Sequence, residues 1–121
     1  MSSLVPYERR FLSYFIRLYV EQPVGVGFTQ GTGNIVDEVG LAEQFLGFYR
    51  IFVNTFEVQN RKTYLTGESY AGFYIPYIAN AFLDQNETST FNLGGIMLGD
   101  PIIGDGALQK EGTFKPHQVS V

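Results

Sequence analysis

The sequence predicts an α/β fold, a mostly parallel sheet with helices on its faces and a nucleophile elbow at Ser69. Three observations carry this. Short β-favouring runs alternate with longer helical segments, an order that builds a parallel sheet. Between Val36 and Phe56 apolar residues recur at three- and four-residue spacing, the period of a helix with one buried face. The stretch Thr63-Tyr-Leu-Thr-Gly-Glu-Ser-Tyr-Ala-Gly72 sets a G-x-S-x-G pattern between a strand and a helix.

Taken in order, Arg17-Leu-Tyr-Val-Glu21 reads as a strand closed by Gln22-Pro23. Val24-Gly-Val-Gly-Phe-Thr-Gln-Gly-Thr-Gly33 reads as a loop. It lacks G-x-G-x-x-G spacing and a suitably placed lysine, so it is no nucleotide cradle. Asn34 is a candidate helix cap, with Asp37 and Glu38 favouring the positive end of the dipole. The stripe Leu41, Phe45, Phe48, Phe52 and Phe56 is expected to cover one face of the sheet, widened by Leu46, Tyr49 and Val53.

Tyr64 to Thr66 form the strand leading into the serine, and Phe73 to Leu83 the helix leaving it. Pro76 is expected to kink or restart that helix, because it removes a backbone donor. Asp84 to Thr90 reads as a surface loop. Phe91 to Gly99 reads as a second, buried strand, ended by the Asp100-Pro101 turn. Residues 1–17 form an unmatched leader, whose charges at Glu8, Arg9, Arg10 and Arg17 exclude a clean signal peptide. Residues 112–121 form an unmatched tail.

Composition narrows the field. The 121 residues are 45% hydrophobic, with 11 Phe and 8 Tyr, more aromatic material than so small an interior needs. That density suits a piece of a larger core. A net charge of -4 argues against a nucleic-acid partner, since phosphates demand a basic patch. No apolar run reaches membrane-spanning length. There is no cysteine, which removes disulfides and thiolate chemistry from this chain. One histidine and scattered carboxylates give no metal-ligand spacing, and no cofactor is expected. Asn86-Glu-Thr88 is a glycosylation sequon in a polar loop, a weak pointer to a secretory route.

A strand-turn-helix around G-x-S-x-G has a physical logic. The turn pushes Ser69 out on a strained backbone, and Gly67 and Gly72 sit where strand and helix leave no room for a side chain. The helix N-terminus offers N–H groups and partial positive charge to a developing oxyanion.

Gly67-Glu-Ser-Tyr-Ala-Gly72 resembles the serine motif of the serine carboxypeptidases, members of the α/β-hydrolase superfamily. Two further blocks fit the same family in the same order: Tyr19-Val-Glu-Gln-Pro-Val-Gly-Val-Gly-Phe28 and Gly95-Ile-Met-Leu-Gly-Asp-Pro-Ile-Ile-Gly104. The resemblance spans residues 18–111 as a partial α/β-hydrolase domain, and Glu21-Gln22-Pro23 would border the active-site cleft. It implies Ser69 as nucleophile, the Tyr70 N–H as an oxyanion-hole donor, and Glu68 as a ligand for a peptide's C-terminal carboxylate. In the family that glutamate shares a proton with a second carboxyl, and activity favours acidic pH. The implied substrate is a peptide and the implied location secreted or vacuolar.

A triad also needs an acid and a histidine, in the order serine, acid, histidine. Asp100, Asp105 and His117 satisfy that order. His117 does not match the family's histidine motif, however, and the family's acid and histidine come from strands further along. The isolated chain is therefore expected to be inactive or nearly so. Two other readings share these residues. One is a carboxypeptidase-like acyltransferase, the other a truncated non-catalytic relative or gene-model fragment.

Overall fold

The computed structural model describes residues 15–104. Asp105, His117, the tail and most of the leader lie outside the described residues. Within them the order is α1 (Glu38–Thr55), β1 (Thr63–Glu68), α2 (Ala71–Asp84) and β2 (Leu93–Gly99). β1 and β2 pair in parallel with α2 as the crossover, and the register runs from Thr63 opposite Leu93 to Glu68 opposite Gly99. This is the α/β class expected from the alternation.

Several local expectations change. Arg17 to Glu21 is not a strand: residues 15–22 form no ladder, and the described sheet has two strands. The cap of α1 is Asp37 rather than Asn34. The Asp37 carboxylate accepts from the Gly40 N–H at 2.8 Å, the third helical position, where a capping acceptor belongs. Pro76 does not restart α2, which runs unbroken through it. One lost hydrogen bond is offset by the buried face Gly72, Ile75, Ile78, Ala79 and Phe82.

The packing order also differs from expectation. α2 lies on both strands and α1 packs against α2, so α1 does not itself cover the sheet. Two strands are narrow enough for one helix to cover. The buried line of α1 is Leu41, Ala42, Tyr49 and Val53, with Phe45, Leu46 and Phe52 partly buried beside it, whereas Phe48 and Phe56 are exposed.

The core forms where α1 meets α2 and the entry to β2. Phe82 is 1% exposed and packs at a tilt against Tyr49, with 4.9 Å between ring centroids. Phe91 meets the edge of Phe82 at 5.0 Å. These tilted arrangements suit the ring quadrupoles and add to the burial itself. β2 has no fully buried residue, against the expected buried strand. Leu65 of β1 is buried toward the helices, while Tyr64 and Met97 on the opposite face stay exposed. The sheet is thus covered on one face.

A polar cluster closes the far end of the molecule from Ser69. Arg50 of α1 donates to the Glu87 carboxylate and lies 4.9 Å from the centroid of the Phe91 ring. Hydrogen bonds from the Thr90 hydroxyl and from Arg50 hold the Glu87 carboxyl below its ordinary value. A depressed carboxyl stabilises the fold above its unfolded pKa, and that contribution fades as pH falls through the folded value.

Two outcomes are expected. Phe82→Ala removes the best-buried ring and destabilises by about 3–5 kcal/mol, read from the denaturation midpoint. Glu87→Gln lowers stability at neutral pH, and its difference from wild type shrinks as pH drops below the usual glutamate range; a constant difference across that range contradicts the assignment.

Candidate active site

The site is built at the join of β1 and α2. Glu68 ends the strand, Ser69 turns the chain, and Tyr70 is the cap residue of the helix. Ser69 has φ 54°, in the left-handed region that a non-glycine residue occupies at a cost of about 1–2 kcal/mol. Strain of this kind persists only where the surroundings over-determine it.

Here they do. The Ser69 N–H donates to Gly99 O at 3.0 Å, continuing the parallel ladder one residue beyond β1. The Ser69 carbonyl accepts from Gly72 N–H at 3.0 Å and from Ile102 N–H at 2.9 Å. Three hydrogen bonds, one to the last residue of β2, one to the first turn of α2 and one to the segment after β2, fix both peptide units of the serine. The Tyr70 N–H, next along, lies outside these bonds at the open end of α2.

Both glycines of the motif are sterically required, for two different reasons. A Cβ on Gly67 would stand 2.4 Å from the Ala71 Cβ, so β1 passes too close to α2 for any side chain. A Cβ on Gly72 would stand 2.3 Å from the Ile102 carbonyl oxygen. The second clash comes from the segment after β2 rather than from the strand-helix approach that sequence suggests. Ile102 is the positioning residue that sequence reasoning missed. Its role is carried by backbone atoms, which leave no side-chain signature.

Glu68, Ser69 and Tyr70 are all exposed. Tyr70 packs on Phe73 at 5.1 Å and on Tyr74 at 5.0 Å, forming an aromatic ledge beside the serine. Burial, with Tyr70 and Glu38 nearby, pushes the Tyr74 phenol above its ordinary value, so it stays neutral. Glu68 and Asp100 border one groove together with Tyr19, Val20, Thr66 and Met97. Asp100 thus lies next to the carbonyl partner of Ser69, with φ 40°. A second groove of about 490 Å³, lined by both apolar and polar side chains, runs along the free edge of β1 and is not lined by the elbow residues.

Glu21 lies in a different environment. Its carboxylate accepts from the Phe28 N–H at 2.7 Å and folds over the loop that follows the cis Gln22-Pro23 bond. Gln44 of α1 ties the same loop down by accepting from the Val24 N–H at 3.0 Å. Asn86 sits exposed at the other end of α2. Among the described residues no three His, Cys, Asp or Glu side chains gather into a cluster able to hold a metal ion.

A strained serine on a strand-helix turn, flanked by two obligatory glycines, defines the class of protein. The family model for serine carboxypeptidases matches residues 14–115, and the chain belongs to that family. It is 51% identical over 87 residues to serine-type carboxypeptidase F of Aspergillus niger, covering 72% of this chain and 16% of that protein. It is 46% identical over 87 residues to a carboxypeptidase Y homolog of Arthroderma benhamiae, covering 72% and 18%. Pheromone-processing carboxypeptidase KEX1 of Arthroderma otae is 41% identical over 106 residues, covering 81% and 17%. The chain therefore spans less than a fifth of the length of these relatives.

Two substitutions test the elbow geometry. Ser69→Gly relieves the left-handed strain and is expected to be more stable than Ser69→Ala by about 1 kcal/mol. Gly72→Ala drives a methyl group into the Ile102 carbonyl and is expected to destabilise by at least about 1–3 kcal/mol. Equal stability of Ser69→Gly and Ser69→Ala contradicts the strained assignment.

Proposed function

We propose that this chain is the nucleophile-bearing segment of a serine carboxypeptidase with an α/β-hydrolase fold, spanning about residues 18–111. In this reading Ser69 Oγ attacks the C-terminal peptide carbonyl and an acyl-enzyme forms on Ser69. The observation that carries it is Ser69 at positive φ between β1 and α2, in a chain of this family. The strained turn presents the hydroxyl clear of the sheet. The Tyr70 N–H, at the positive end of α2, stabilises the oxyanion that develops on the attacked carbonyl.

Glu68, one residue before the nucleophile, serves as a hydrogen-bond partner for the departing residue's carboxylate when its own carboxyl is protonated. The aromatic ledge of Tyr70, Phe73 and Tyr74 offers apolar surface to the adjoining substrate side chain. The general base and the acid that orients it come from outside the described residues; neither Asp105 nor His117 is assigned that role. The substrate is a peptide, and the location is secreted or vacuolar, as membership of the family implies. Acyl transfer to an alcohol uses the same acyl-enzyme and is the second outcome of the test below.

In the native polypeptide, hydrolysis of an N-blocked dipeptide is expected to fall by several orders of magnitude on Ser69→Ala, with KM little changed. Unchanged turnover overturns the assignment. Release of an ester in the presence of an alcohol, with little free acid, identifies an acyltransferase instead.

A further inference from the structure

We propose that Asn86 carries an N-linked glycan, which stands at the end of α2 opposite the elbow. Asn86-Glu87-Thr88 is the one N-x-S/T sequence in the chain. Such a triplet becomes an acceptor when its Asn and its hydroxyl residue are both accessible, and the local structure meets that condition.

Helix α2 stops at Asp84, and Asn86 turns the chain with φ 53°. Asparagine tolerates this left-handed conformation better than most residues. Glu87 is then drawn inward, its carboxylate accepting from both Arg50 and the Thr90 hydroxyl. Its carbonyl accepts from the Thr90 and Phe91 N–H groups at 3.2 and 2.8 Å, closing a compact turn. The Asn60 N–H donates to the Ser89 carbonyl at 2.7 Å and ties this turn to the connection before β1. With the central residue of the sequon anchored, its two neighbours project away from the protein, and both Asn86 and Thr88 are exposed. The Asn86 amide makes only a long, 3.3 Å bond to the Asp84 carbonyl, which it gives up easily.

The covalent step is a glycosyl transfer without redox change. The anomeric carbon of a polyprenyl-diphosphate-linked oligosaccharide breaks its bond to the diphosphate oxygen and forms one to Asn86 Nδ2. The amide loses one proton, and the polyprenyl diphosphate leaves with the bonding electron pair. A helix of 14 residues separates Asn86 from the elbow, roughly 20 Å along its axis. A glycan at Asn86 therefore leaves the face around Ser69 open while covering the polar end of the molecule.

The native polypeptide, purified from its own cells, is digested with trypsin and then with an amidase that releases N-glycans in ¹⁸O-water. The peptide beginning at Thr63 is expected to carry ¹⁸O-labelled aspartate at position 86, and to lose the label when the amidase is omitted. Asn86→Gly keeps the left-handed turn without strain, and Thr88→Ala keeps the asparagine; both are expected to remove the same increment of apparent mass on a gel. Unlabelled Asn86 from cells whose other secreted proteins are labelled overturns the proposal, as does a Thr88→Ala variant that remains modified.

Discussion

The described structure depends on holding one serine in a conformation it does not prefer. Ser69 at positive φ is the point where β1 becomes α2, and relaxing it would rotate the helix away from the strand. The strain is modest beside the interactions that impose it. The Ser69 amide belongs to the parallel ladder, and its carbonyl is shared by the first turn of α2 and the amide of Ile102. Each net hydrogen bond contributes about 0.5–1.5 kcal/mol, so three of them outweigh a left-handed residue.

That constraint reaches outward through α2. The helix begins at the elbow and buries Ile75, Ile78, Ala79 and Phe82 further along, so the aromatic core around Phe82, Tyr49 and Phe91 fixes the helix that presents the serine. The two glycines mark the places where backbone approach replaces side-chain packing. β1 and α2 meet over Gly67, and Gly72 meets the segment after β2. β2 contributes little burial of its own. Its role at the site is to bring Gly99 and Ile102 to the serine backbone.

Local patterns were legible where local physics decides them. The Ser69 motif fixed the turn, and both its glycines meet the steric limit it implies. The cap falls on Asp37 rather than the expected Asn34 because several acceptors precede α1 and only geometry selects the one facing the third amide. Phe48 and Phe56 share the helical spacing of the stripe, yet of its aromatic and aliphatic members the helix turns Tyr49 and Val53 inward and leaves these two outside. Residues 17 to 21 have strand-forming side chains, but a strand exists only when a neighbour supplies hydrogen bonds, and no propensity encodes that. The clamp at Ile102 is invisible to sequence because it is made of backbone atoms. The catalytic base was never legible here. His117 follows the serine in chain order, but order alone does not bring an imidazole to a hydroxyl.

The central claim is that Ser69 is an activated nucleophile in the native protein. Its most direct test is reaction of that protein with a fluorophosphonate, followed by peptide mapping. One equivalent of phosphonyl group on Ser69, blocked by a competing peptide substrate and absent after denaturation, is the predicted result. A native, active protein that is labelled on a different serine, or that leaves Ser69 unmodified, contradicts the account.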